Sequence, residues 1–268
     1  MVTSFDFQTH PLGPIVAFAA TFYPLEDADK ILPRWRDYCE SCPEEVTSSA
    51  ITITLPAAPM LPEPVHNKAC LFVGGLYVGD SDKGMKTLQP LRQLATPLAD
   101  ISQPMPFTFI QSAFDPFFPL GRLQSYWKAQ YLNNLSDDAI KVIASRAKTR
   151  PHPLTLVNTF HMGGAINRVK STDTAFGERS ANWMSSIDGN WEDPHQNEKN
   201  IAWVREGFDQ IARFGNGSTY TNFMGQEDEA SSALTAKAYG PNLEKLRKIK
   251  SVYDPHNFFR MNLNITPA

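Results

Sequence analysis

Residues 48–56, SSAITITLP, and residues 69–79, ACLFVGGLYVG, decide the fold. Both are rich in β-branched and aromatic side chains and both are bounded by proline or glycine, which marks them as strands. The intervening PAAPMLPEPVHNK, residues 56–68, is a loop by composition. Two strands this close in sequence set up a sheet whose remaining members must be sought on either side.

Outward from this pair, strand-like and helix-like segments alternate, with no repeat or low-complexity tract. Toward the N-terminus, PIVAFAATFYP (14–24) is an apolar strand, and VTSFDF (2–7) alternates apolar and polar residues as a strand does. A helix is expected from Asp27 or Asp29 through Trp35 to Cys42, with Pro33 in its first turn or kinking it. Beyond the pair, residues 80–95 read as a helix marred by Pro90, and PMPFTFIQSAFDPFFPLG (104–121) as a proline- and phenylalanine-rich connection. Helices follow at 121–134 and 137–148, the second opening SDDAIKVI with Ser136 as a good cap and acids at its positive end. PLTLVNTFHMGGAINRV (153–169) reads as one long strand interrupted by Gly163-Gly164. Ile201, Val204, Phe208 and Ile211 recur at helical spacing within 197–213. A short strand at STYTNFMG (218–225) and helices at about 227–239 and 241–253 complete the pattern. The fold class expected is α+β, a large antiparallel sheet flanked by helices.

The chain has 268 residues, 42% hydrophobic and 20% charged, with a formal net charge of -3. It is long enough for one large domain or two unequal ones, and its charge points to neither nucleic acid nor an anionic membrane as partner. No apolar run approaches the roughly 18 residues of a membrane span, and the first residues lack the basic region of a signal peptide, so a cytoplasmic location is expected. Three cysteines, Cys39, Cys42 and Cys70, suit a reducing compartment. Cys39-Glu-Ser-Cys42 has no second pair to complete a zinc site. The six histidines include no pair at metal-ligand spacing. Neither GxGxxG, GxxxxGK[ST] nor GxSxG occurs. The acidic EDEASS (227–232) is explained by a helix start.

Three stretches resist a purely structural account. HMGGAINRV leads from a double glycine to Asn167 and Arg168. STYTNF places Tyr220 and Asn222 at i and i+2, on one face of a strand. YDPHNFFRMNLNITPA ends the chain on two prolines and several asparagines, with Asp254 and Asn257 bracketing a helix stop. A phenol and a carboxamide on one face suit a flat polar heterocycle, and the phenol can donate or accept a proton. Tyr220 taken alone reads equally well as a half-buried strand tyrosine.

Together these stretches resemble the C-terminal half of the FAD-linked oxidases related to berberine bridge enzyme. The matching segments are Gly163-Gly164-Ala165, Ala175-Phe176-x-x-Arg179, Asn190-Trp191, Tyr220-x-Asn222, Tyr239-Gly240-x-Asn242 and Tyr253-Asp254-Pro255-x-Asn257-x-Phe259-Arg260, in family order and spacing. The resemblance covers nearly the whole chain. It implies that residues 1–14 end a flavin-binding domain, that 15–218 form the substrate-binding domain, and that 219–268 return to complete the flavin domain. It further implies an FAD-dependent oxidation of a C–H bond of an alcohol, sugar or amine with dioxygen as acceptor. Tyr220 and Asn167 are implied at the catalytic position, and Tyr220, Asn222 and Asn257 at the flavin. An amide at Asn167 is a poor base, and Glu178 stands where relatives often carry histidine. The glycine-rich pyrophosphate loops and the tethering residue of the family are not in this sequence. The expected partners are therefore a small-molecule substrate and a separate FAD-binding domain, with FAD held weakly or not at all by this chain alone. The competing expectation is a catalytically inactive binding protein without flavin.

Overall fold

The two strands that open the pattern pair as expected: β2 (Val46–Thr54) runs antiparallel to β3 (Ala69–Tyr77), and β3 to β1 (Ile15–Pro24). The computed structural model describes residues 3–59, 61–224, 232–261 and 263–268. Beyond β1 the sheet is edged by β4 (Ala99–Asp100) and β5 (Gln103–Pro106). On the other side it continues through β7 (Leu156–His161) and β8 (Trp183–Trp191) to β6 (Gln124–Leu132). The order is β4-β1-β3-β2-β7-β8-β6, with β5 also on β1, and every ladder is antiparallel.

Helices α1 (Ala28–Ser41), α4 (Asp137–Lys148) and α6 (Asn197–Ala212) cover one face. Their apolar stripes meet alternate strand residues in one core that includes Trp35, Ile140, Val204, Val73, Ile187 and Trp191. Trp35 meets Trp183 edge-on at 5.2 Å, and its indole N–H donates to Ser48 Oγ at 2.9 Å, so a polar strand residue is satisfied inside the core. Gly207 lets α6 lie close against β8, since a Cβ there would sit 2.4 Å from Ile187 Cδ1. The opposite face carries two smaller apolar clusters, one around Phe22, Ile53 and Phe72 and one around Tyr131, Met184 and Ala129.

Several expectations need correction. Residues 121–134 form no helix; Gln124–Leu132 is the edge strand β6. Its odd and even positions face opposite sides of the sheet, and both sides are covered, so a run with fair helix formers is buried as a strand. Strand β8 was not expected at all: WMSSIDGNW puts two serines, an aspartate and an asparagine in a segment buried at every position. The long strand at 153–169 stops at His161, because Gly163 (φ 128°) and Gly164 (φ 55°) turn the chain into the single-turn α5 (Ala165–Arg168). The 80–95 helix breaks at Leu88 into α2 (Ser81–Thr87) and a 3-10 turn, Gln89–Arg92, that accommodates Pro90.

Residues 3–7 join no strand; Phe5 and Phe7 stack on each other, 73% and 79% exposed, with residues 1 and 2 outside the described chain. A lone strand has no ladder partner and stays open. Residues 218–224 are a loop with a 3-10 turn at Thr221–Phe223 rather than a strand. Of the helix expected at 227–239, α7 (Ser232–Tyr239) is present, while the acidic residues 227–229 lie outside the described residues. α8 (Leu243–Tyr253) follows, and among the described residues no helix is long and apolar enough to cross a membrane.

Candidate functional site

Antiparallel register builds the face opposite the helices row by row. Trp127 of β6, Asp188 of β8 and Leu156 of β7 stand side by side in one row. Ala129, Ser186, Asn158 and Ile51 form the next, and Tyr131, Met184, Phe160 and Ser49 the one beyond. Side chains opposite one another in a ladder share a face, so a polar group at Asp188, Ser186 and Asn158, with Asn190 next along β8, is set beside apolar and aromatic side chains.

Asp188 is 4% exposed. Burial raises its carboxyl to about 7, held back by hydrogen bonds from Ser186 and Asn158. Asn158 Nδ2 donates to Asp188 Oδ2 at 2.5 Å and lies 3.3 Å from Ser186 Oγ. Asp188 Oδ1 and Asn158 Oδ1 are buried and make no hydrogen bond among the described residues. A carboxyl that changes charge near neutrality, with one oxygen tied and one unpartnered, is equipped to accept or return a proton.

An aromatic wall rises beside it. Trp127 donates its indole N–H to Asn190 Oδ1 at 2.9 Å and stacks against Phe118 (5.9 Å) and Phe223 (5.5 Å). Phe223 leads to Tyr220 (5.6 Å), which also meets Tyr131 (6.5 Å) and Phe176 (6.2 Å) edge-on. The Tyr220 loop is pinned along β6 by Thr219 Oγ1 donating to Ala129 O at 3.0 Å and by Asn216 N to Tyr131 O at 2.9 Å. A cleft of about 740 Å³ opens between this loop, the start of β6 and residues 118–121, with Trp127, Gln124 and Asn222 among its lining. The proline- and phenylalanine-rich connection crosses the same face: Phe114 packs on Phe72 of β3 and Phe118 on Trp127 of β6.

The residues singled out from sequence are partly gathered here. Tyr220 and Asn222 meet directly, Asn222 Nδ2 donating to the Tyr220 hydroxyl at 3.0 Å, although the segment is a turn and not a strand. Asn167, on α5, donates to Ala181 O at 3.2 Å and Asn182 Oδ1 at 3.3 Å, and its own Oδ1 is buried without a partner. Ala181 belongs to the apolar cluster that holds Tyr220, which places Asn167 at the rim of the same group.

Glu178 ties the loop below it, accepting from Ser180 N, Ala181 N and Asn216 Nδ2. Asn257 sits apart. It takes φ 52° in a turn where Asp254 accepts from Phe258 N (2.8 Å) and Phe259 N (3.0 Å). The tail's hydrogen bonds among the described residues go to itself or to α8, as Lys250 Nζ to Phe259 O and Ala268 N to Ser251 Oγ. The effect is to hold Phe258, Phe259 and Met261 outward, 80%, 70% and 83% exposed, beside exposed Val252 and Tyr253 of α8.

Asp188 and Asn158 were missed by the sequence reading. The run Asp188-Gly189-Asn190 has the composition of a turn, and it hides a strand whose one signal is the tryptophan at either end, Trp183 and Trp191. Cys39, Cys42 and Cys70 are free thiols, all raised by burial, and no metal cluster occurs among the described residues.

Residues 219–266 match the family described as "Berberine and berberine like". The uncharacterized FAD-linked oxidoreductase YgaK of Bacillus subtilis is 25% identical over 270 residues, which cover all of this chain and 56% of that protein. Among solved structures, berberine bridge enzyme from Eschscholzia californica superposes with a TM-score of 0.77 at 16% identity, covering 95% of this chain and 55% of that one. The BBE-like 1 protein of Physcomitrella patens gives 0.75 at 15%, covering 97% and 54%. These structures share the fold, and the chain spans about half the length of the curated relative it matches.

Proposed function

We propose that the chain is the C-terminal, substrate-domain portion of an FAD-linked oxidase like berberine bridge enzyme, and that the sheet face carrying Asp188 is the substrate side of a flavin-dependent oxidation site. The observation that carries this reading is the buried Asp188 carboxyl, unpartnered at Oδ1, beside an aromatic wall that ends in Tyr220. The boundaries read from sequence, at residues 14 and 218, belong to the same proposal.

The residues fit a flat polar heterocycle and a bound substrate. Oδ1 of Asp188, Asn158 and Asn167 are buried acceptors without donors among the described residues, and an unmade buried hydrogen bond costs about 1–3 kcal/mol unless a ligand makes it. Tyr220 and Asn222 would hold the flavin ring edge, with Asn257 joining from the tail. FAD, when bound, supplies hydride acceptance from a C–H bond of an alcohol, sugar or amine, with dioxygen as terminal acceptor. The chain's own residues orient the substrate against Trp127 and Phe223, exclude water with the aromatic wall, and take the substrate's O–H or N–H proton at Asp188 Oδ1. Tyr220 supplies a hydroxyl beside this carboxyl's aromatic wall, with Asn222 fixing its oxygen. Asn167 acts as a polar contact, since an amide does not accept a proton at neutral pH. The outward Phe258, Phe259, Val252 and Tyr253 suit the packing surface for a flavin-binding domain.

The visible spectrum tests this. The purified chain mixed with FAD and then freed of unbound flavin by gel filtration is expected to emerge colourless, and the chain joined to a flavin-binding domain of a relative is expected to hold flavin near one-to-one after the same step. A folded joined protein that remains colourless would overturn the proposal.

A further inference from the structure

We infer that Asn158 is a positioning residue for Asp188: its amide fixes carboxyl oxygen Oδ2 and so dedicates Oδ1 to the ligand. This rests on the reading of Asp188 as the site's proton acceptor.

Asn158 is out of keeping with its surroundings. Its strand neighbours on that face are Leu156 and Phe160, and Ile51 stands directly opposite it on β2. It is 4% exposed and leaves its own Oδ1 without a partner. A leucine would fill that place with no polar atom to satisfy, and a buried amide with a missing partner is unfavourable. What the amide supplies is a donor to Asp188 Oδ2 at 2.5 Å from the neighbouring strand. Hydrogen bonds to a charged acceptor are about twice as strong as neutral ones.

The groups around the carboxyl show why this one bond matters. On its own strand Asp188 has Ser186 and Asn190 on the same face, on β6 it has Trp127, and on β7 Leu156 and Asn158. In the crossing segment the one ionisable side chain is Asp115, which is exposed. Burial, Ser186 and Asn158 are the causes that set its ionisation, and no charged group is among them. Removing the Asn158 donor therefore disfavours the carboxylate and frees the carboxyl to rotate.

The test is the ionisation of Asp188 in the full chain, followed by carbon NMR on carboxyl-labelled aspartate and assigned by the resonance that Asp188→Asn removes. Asn158→Leu is expected to move the titration upward by about one pH unit. Asn158→Thr, which suits a strand but is too short to reach Oδ2, is expected to move it the same way and serves if the leucine variant does not fold. An unchanged titration in either folded variant would overturn the positioning role. In the chain joined to a flavin domain, Asp188→Asn with full turnover would instead remove Asp188 as proton acceptor and leave the titration result standing. If both hold, the acidic limb of the pH–rate profile shifts upward with the titration in Asn158→Leu.

Discussion

Asn222 hands its amide hydrogen to the phenolic oxygen of Tyr220 at 3.0 Å, across a 3-10 turn that also seats Phe223 against Trp127. The amide occupies one lone pair of the phenol and leaves its hydrogen free to be donated. Tyr220→Phe keeps the ring contacts with Tyr131 and Phe176 and removes only the hydroxyl. Stability should fall by no more than about 1 kcal/mol. Turnover of the chain joined to a flavin domain should fall by about 100-fold or more if the phenol moves a proton. Unchanged turnover would strike Tyr220 from the catalytic group.

The buried carboxyl predicts an unusual pH dependence of stability. Asp188 ionises near 7 when folded, against about 3.9 in an unfolded chain. Between those values the folded chain holds a proton that the unfolded chain has released, so stability declines as pH rises through that window and is lowest above 7. The full effect is on the order of 4 kcal/mol. His152 and His161, lowered by burial below the ordinary histidine value, act in the opposite sense. The informative quantity is thus the difference between the parent chain and Asp188→Asn. Thermal melts at pH 5 and pH 8 should show the aspartate chain losing more Tm than the asparagine variant, and equal losses would contradict the assignment.

At the tail, Asp254 accepts two backbone hydrogens and pairs with Lys250, which lowers its carboxyl below the usual range. Asp254→Ala should release the turn that holds Phe258 and Phe259. Hydrogen exchange at those two amides is expected to accelerate while exchange in β1, β3 and β8 stays unchanged. Retained protection at both amides would show that the turn is held by something else.

The phenylalanines themselves contribute little to this chain's own stability, being 80% and 70% exposed. Replacing both with serine should change the unfolding free energy by less than about 0.5 kcal/mol. The same change should weaken association with a separately produced flavin-binding domain, measurable by calorimetry. Undiminished association would remove the tail as a packing surface.

Close packing of α6 on β8 rests on a missing side chain. Gly207→Ala would bring its Cβ to 2.4 Å from Ile187 Cδ1 and 2.9 Å from Arg146 Nε. A destabilisation of about 1–3 kcal/mol is expected from the overpacking, read from denaturant midpoints. A neutral result would mean that the helix shifts at no cost.

Much of this was legible in the order of residues. SSAITITLP and ACLFVGGLYVG form the paired strands their composition demands, and PIVAFAATFYP joins them as β1. Ser136 caps α4 by accepting from Ala139 N, as its place before two acids requires. The apolar spacing in 197–213 gives α6. These features are local, and local geometry alone writes them into sequence: β-branching, a capping hydroxyl, a period of 3.6.

What tertiary structure decided was everything that depends on register between distant strands. Residues 124–132 became a strand because β8 was available beside them and both their faces could be covered. Ser185, Ser186, Asp188 and Asn190 could be buried in β8 because Asn158 and Trp127 from other strands, and Thr155 just ahead of β7, supply their partners. Asn158 and Asp188 are 30 residues apart, and a slip of one position would send them to opposite faces. The sequence by itself determined β1, β2, β3, α4 and α6 and showed a likeness to a known family at Tyr220, Asn222 and the closing tail. The pairing of Asn158 with Asp188 exists only once the ladder has chosen its register, because a buried carboxyl gains its partner from a neighbouring strand and not from its own.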